Sequence, residues 1–311
     1  MHGPRARATA PDWTRRGLLA CGAAALAALW APTPAVMYGS AERFARGLLW
    51  RLSRAGAPDS HAFGTIHVAD ARVAEPPAAA LDLLAGSRSF AMELVTDQIV
   101  DERMFDLEQL RGDRRLETLI GTADFARVRE RLSAQGVPER AIERMKPWAA
   151  MLAVSRTGAG DGSVPLDRRL LSAARARRLR LEPLESLEEQ VASFDTVPMA
   201  TQIALLRHVL DDREVLEGET EATIRAWLAG DLAELARFPE RMEARFPGLG
   251  RHYRELIRHL IHNRTVLMHY RLAVPLRAGR VFIAVGALHL EGEKGLLAML
   301  ADDGYTVERL A

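Results

Sequence analysis

The chain has a single cysteine in 311 residues, Cys21, which excludes an intramolecular disulfide and any Cys-x-x-Cys metal knuckle. Any metal site must therefore be built from His, Asp and Glu. A dominant charge is also missing: Lys plus Arg number 42 and Asp plus Glu 41, leaving a formal charge of +1. No global field draws such a protein to nucleic acid or to an anionic membrane, so nucleic acid is not an expected partner. Basic runs such as Arg175-Ala176-Arg177-Arg178 are interleaved with aliphatic residues and read as solvated helix faces. There is no Gly-x-Ser-x-Gly elbow, phosphate loop, dinucleotide fingerprint or His-Glu-x-x-His pair. Serine-hydrolase, nucleotide-binding and zincin chemistry thus have no motif to rest on.

What is present begins with a targeting segment. Arg5, Arg7, Arg15 and Arg16 precede an uncharged Ala/Leu-rich run from Gly17 to Trp30, which Pro32 and Pro34 end. These are the basic, apolar and breaking regions of a secretory signal, and the run is too short and alanine-rich for a membrane span. Thr14-Arg15-Arg16-Gly17-Leu18-Leu19 resembles a twin-arginine signal, which implies export in the folded state. Cleavage fits after Ala35 or Ala41; left uncleaved, the segment is an N-terminal anchor. Leu18-Leu19-Ala20-Cys21 is only superficially a lipobox, because the apolar core follows the cysteine. Cys21 lies inside the signal, so a cysteine nucleophile is excluded from the mature domain. The expected layout is residues 1–40 as signal or anchor and 41–311 as one domain. Its expected location is periplasmic or otherwise exported, with any membrane attachment through the N-terminus alone.

In the mature chain, Leu48–Leu52 and His61–Ile66 flank the turn Gly56-Ala57-Pro58-Asp59 and predict a β-hairpin. Pro76-Pro77 opens a short helix that Gly86 stops. Ser89–Val95 reads as a buried strand carrying one carboxylate, and Leu179–Leu184 as a short strand. Gly158–Ser163 is a loop leading to a helix over Leu166–Ala176, and Ser186-Leu187-Glu188-Glu189 fits a capping box. Residues 196–276 read as helical, then Val281–Val285 as a strand, Leu296–Leu300 as a helix and the residues after Gly304 as a last strand. The expected class is α/β (α+β): a small mixed sheet formed from both ends of the chain, with a large helical insertion over about residues 99–277.

The chemistry is sought at two Gly-x-x-His turns. With 23 glycines and 9 histidines, roughly one such spacing arises by chance, so the motif alone means little. Its context carries more. Ala62-Phe63-Gly64-Thr65-Ile66-His67 and Ala284-Val285-Gly286-Ala287-Leu288-His289 share one pattern of Ala, apolar, Gly, small, aliphatic, His. Each ends a buried strand, and ligand sites in α/β sheets gather outside strand carboxyl ends. Glu93 interrupts the apolar run Phe90–Val95, and a buried carboxylate must be paired, neutralised or bound to a cation. Two imidazoles and a carboxylate suit a divalent metal, with Mn, Co and Zn all compatible. Taken singly, each histidine has the alternative of a hydrogen-bonded core residue, and Glu93 that of half a buried ion pair. His252, His259, His262 and His269 lie on one arginine-rich stretch and read as a solvated face.

The chain resembles the TraB/GumN family, which includes the Tiki-type proteases. The likeness covers about residues 46–310 and rests on Gly47-Leu48-Leu49-Trp50-Arg51, Phe63–His67, Ala91-Met92-Glu93-Leu94 and Met145-Lys146-Pro147-Trp148. It continues through Leu184–Gln190, Asn263-Arg264 and Val285–His289. The resemblance implies a metal-dependent hydrolase with His67, Glu93 and His289 as metal ligands. It adds Glu185, Asn263 and Arg264 as catalytic-site residues: Glu185 to orient a ligand or act as a base, Arg264 to hold a substrate carboxylate or an oxyanion. The sequence departs from the family pattern after Arg264, where the Asn-Arg pair is not repeated.

Three readings follow from the sequence. The first is an exported metal-dependent hydrolase acting on a peptide or small molecule. The second is a non-catalytic periplasmic protein that binds a peptide or a metal complex on the same fold. In the third, the protein is an envelope scaffold whose motifs only shape turns.

Overall fold

The computed structural model describes residues 44–155 and 163–311; the signal segment and most of the Gly158–Ser163 loop lie outside them. The predicted hairpin forms from β1 (Leu49–Arg54) and β2 (Ala57–Thr65), which pair antiparallel. They join β3 (Ser89–Met92), β4 (Arg180–Pro183), β5 (Val281–Gly286) and β6 (Thr306–Arg309) in one six-stranded sheet, ordered β4-β3-β5-β2-β1-β6. The class is mixed α/β, as the sequence reading has it. One strand, β4, comes from inside the expected helical insertion, so the sheet is not made from the chain ends alone.

Pairing in the sheet is parallel along β4-β3-β5-β2 and antiparallel at β1 and β6. Strands β3 and β5 are buried along nearly their whole length, as their continuous apolar runs predict for parallel strands covered on both faces. Phe282 on β5 packs between neighbours, with its ring 6.3 Å from Phe90 and 6.4 Å from Phe63. The parallel arrangement has a functional consequence. It sets the carboxyl ends of four adjacent strands along one edge of the sheet.

Helices fill the rest. Relevant below are α1 (Gln98–Leu107), α2 (Pro147–Val154), α3 (Leu166–Ala176), α4 (Leu187–Asp195), α5 (Arg213–Leu228) and α6 (Asn263–Ala278). The capping box opens α4 as predicted: Ser186 accepts from the Glu189 N–H, and the Glu189 carboxylate accepts from the Ser186 N–H. A π-helical turn, Arg258–His262, immediately precedes α6, and the hydrophobic periodicity gives no sign of it. Two hydrophobic cores result. One surrounds the sheet; the other is a helical lobe containing Met104, Trp148, Leu152 and Phe194, and Ile261 packs against both.

Phe282 is fully buried and is the central ring of the sheet core. Phe282→Ala is expected to cost about 3–5 kcal/mol through lost burial and the cavity left behind. Urea unfolding against wild type measures this.

Candidate metal centre

The sequence placed Glu93 inside a strand; β3 in fact stops at Met92, and Glu93 is the next residue. His67 lies two residues beyond the end of β2, and Glu185 two residues beyond β4. His289 closes the 3-10 turn Ala287–His289 that follows β5. All four therefore stand at the carboxyl edge of the parallel strands, where ligand sites of such sheets form. The ladder between β3 and β4 runs on past the strands, with the Glu185 N–H donating to the Glu93 carbonyl at 2.9 Å. That bond sets the two carboxylates side by side.

Arg264 enters from the first turn of α6. Its Nε and Nη2 donate to Glu185 and its Nη2 also to Glu93 Oε2 at 2.7 Å, while Nη1 donates to the Leu260 carbonyl. The other oxygen of Glu93, Oε1, accepts from the Gly286 N–H at 2.7 Å. Both imidazoles face that same Oε1: His67 Nε2 and His289 Nε2 each stand 3.7 Å from it. The structure thus brings together His67, Glu93, Glu185, Arg264 and His289. Asn263 is the exception: it is exposed and does not line the cavity at the site.

Two residues that the sequence reading overlooked orient the rings. Asp167, in the first turn of α3, lies 2.8 Å from His67 Nδ1. Thr265 Oγ1 lies 2.8 Å from His289 Nδ1 and gives its own proton to the Ile261 carbonyl at 2.8 Å. With that proton spent, the hydroxyl accepts from Nδ1–H, so the neutral His289 ring turns an unprotonated Nε2 toward Glu93. Asp167 accepts from His67 Nδ1–H. The adjacency of Thr265 to Arg264 was the available signal for one, and the acidic first turn after Pro165 for the other.

Charge completes the picture. Burial opposes ionisation of Glu93, but Arg264 and the His67 imidazole hold its carboxyl well below the usual range. Burial raises Glu185, with Arg264 opposing. Burial pushes His289 down to about 3, so that ring is neutral. For His67, burial is outweighed by Asp167 and Glu93, and the ring is raised well above the ordinary histidine value. The histidines expected on a solvated face are partly withdrawn instead, and burial lowers His262 to about 4.

These residues fit a divalent cation in donor chemistry. Each ring is anchored through Nδ1, leaving Nε2 for a metal. With the His67 ring protonated, the carboxylates of Glu93, Glu185 and Asp167 outnumber the cations Arg264 and His67 by one, a charge that a bound cation would balance. Among the described residues, no group of three or more His, Cys, Asp and Glu side chains is already spaced to hold a metal.

Removing the guanidinium should leave Glu93 and Glu185 buried without a cation. Arg264→Met is expected to destabilise by about 3–5 kcal/mol, and Glu185→Gln in the same chain to restore part of that loss. A double-mutant cycle from chemical unfolding checks both; additive losses would show that the pair does not interact.

Comparison with curated proteins and with solved structures gives no match. The TraB/PrgY/gumN family model matches residues 48–309, a span that begins at β1, ends in β6 and contains the whole cluster at the sheet edge. On that match over nearly the whole described chain, the protein belongs to the TraB/PrgY/gumN family.

Proposed function

We propose that the protein is an exported, metal-dependent hydrolase, a peptidase by preference, with its metal held by His67, Glu93 and His289. The observation that carries this reading is the pair of Nδ1 anchors, Asp167 and Thr265, which leave both Nε2 atoms facing one carboxylate oxygen. A divalent ion bound there supplies Lewis acidity and an acidified water. The chain's own residues supply position. Glu185 has no exposed side-chain surface and holds Arg264, which favours an orienting role for it over that of a base. Arg264 fixes Glu93 and lines the cavity, and most of its N–H groups are committed inside the protein. Export rests on residues 1–40; among the described residues no helix is long and apolar enough to cross a membrane.

A second reading is favoured by one specific observation. Both oxygens of Glu93 are already engaged, by Gly286 N–H and by Arg264, as in a protein that captures a peptide or metal complex without turnover. Tight capture without cleavage, unchanged in Glu93→Gln, is the outcome that selects it.

The test is metal analysis of the natively exported protein, with cleavage of a peptide library with and without added Mn2+, Co2+ or Zn2+. Stoichiometric metal is expected, lost in His67→Ala and in His289→Ala. Thr265→Val, which keeps shape but removes the anchor of His289, is expected to weaken metal affinity about 10–100-fold. No metal uptake, together with both histidine variants indistinguishable from wild type, would sink the reading.

A further inference from the structure

The cavity at the site continues past the polar cluster, and its far wall belongs to the helical lobe. Met104 of α1, Trp148 and Leu152 of α2, Phe194 of α4, and Leu94 beside Glu93 line it there. This wall is held in place: Trp148 and Phe194 stack at 4.6 Å and 18°, and Trp148 Nε1 donates to Asp195 Oδ1 at 2.8 Å. The whole cavity, polar cluster included, has a volume of about 190 Å³, of the same order as the roughly 150 Å³ of an apolar cavity that takes benzene. One bulky side chain fits such a space.

A second observation narrows the ligand class. Thr65, at the end of β2, lines the same cavity, is 2% exposed, and its buried Oγ1 has no hydrogen-bond partner among the described residues. A buried hydroxyl without a partner is uncommon, and a ligand group is one explanation of it. A hydrocarbon has nothing to offer that hydroxyl. A peptide has an N–H or C=O beside every side chain.

We propose that this cavity is a specificity pocket that seats one bulky apolar side chain of a peptide, Phe or Leu in kind. Thr65 Oγ1 hydrogen-bonds the peptide backbone next to it, and the adjoining bond is presented to the cluster at Glu93. The proposal rests on the hydrolase reading only in naming that bond as the one cleaved.

The experiment is equilibrium binding of the N-acetyl amides of Phe, Leu, Ala and Ser to the full chain in the presence of Mn2+, by calorimetry. The Phe and Leu compounds are expected to bind at least about tenfold more tightly than the Ala compound. Met104→Trp, which fills the pocket, should abolish the preference. Thr65→Val should weaken the whole series by roughly fivefold without changing its order. Thermal unfolding confirms that each variant is folded, and Leu152→Asn replaces Met104→Trp should that chain not fold. Equal affinities across the series, or a preference that survives filling of the pocket, would overturn the assignment. Cleavage of peptides carrying the same residues is measured separately. Selective binding without cleavage keeps the pocket and removes the hydrolase reading; cleavage indifferent to the side chain removes the pocket and leaves the hydrolase reading standing.

Discussion

Glu93 is a carboxylate taken out of water at the carboxyl edge of a parallel sheet, and the arrangement around it follows from keeping it charged there. Left alone, burial would protonate it. Three sources of positive potential prevent that: the guanidinium of Arg264, the N–H of Gly286 and the imidazole of His67. Arg264 is itself buried, so it needs more than one acceptor, and Glu185 supplies a second carboxylate with no exposed side-chain surface. The chain of requirements runs from one acid to an ion-pair network joining two strand ends to a helix.

That network links the two cores. Glu93 and Glu185 belong to the sheet edge, whereas Arg264 follows a π turn packed against both the sheet core and the helical lobe. Breaking the pair would expose neither charge to water; it would leave charges stranded between two apolar masses, the costly outcome for a buried ion pair. The same geometry leaves the cavity at the junction, lined by the polar cluster at the sheet edge and, from the helical lobe, by Met104, Trp148, Leu152 and Phe194 among others. A site at the meeting of two cores can bind an apolar group and act on a polar bond at once.

Much of this was legible in the residues, and the limits have physical causes. Continuous apolar runs marked β3 and β5, and the Pro, Gly and capping signals placed the hairpin and α4. Glu93 stood out because a charge inside an apolar run demands an explanation. Asp167 did not, because an acid in the first turn of a helix has an ordinary reading in the helix dipole. Thr265 was hidden for a related reason: a threonine hydroxyl in a helix usually bonds back to its own turn, and this one does so while also accepting from His289. The π turn has no signature in a 3.6-residue periodicity, so the side chains that α6 presents to the sheet could not be deduced. Asn263, one residue from Arg264, faces solvent, since neighbours on a helix point about 100° apart.

The two Gly-x-x-His turns look like copies in the sequence, and the glycine of each serves the other turn. A Cβ on Gly64 would stand 3.1 Å from Ala287 Cα and from Leu290, residues of the second turn. A Cβ on Gly286 would stand 3.3 Å from His67 Nε2, at the end of the first, and 3.2 Å from Glu93 Oε1. Strands β2 and β5 are parallel neighbours with Gly64 opposite Val285 and Thr65 opposite Gly286, so the two turns leave the sheet side by side. Each glycine makes room for its partner's descent toward Glu93. The carbonyl of Gly64 also accepts from Trp227 Nε1 at 3.0 Å, which fixes the first turn from the α5 side. Neither glycine has a positive φ, so backbone freedom is not what these positions use. They use the absence of a side chain, and only because both turns converge on one carboxylate.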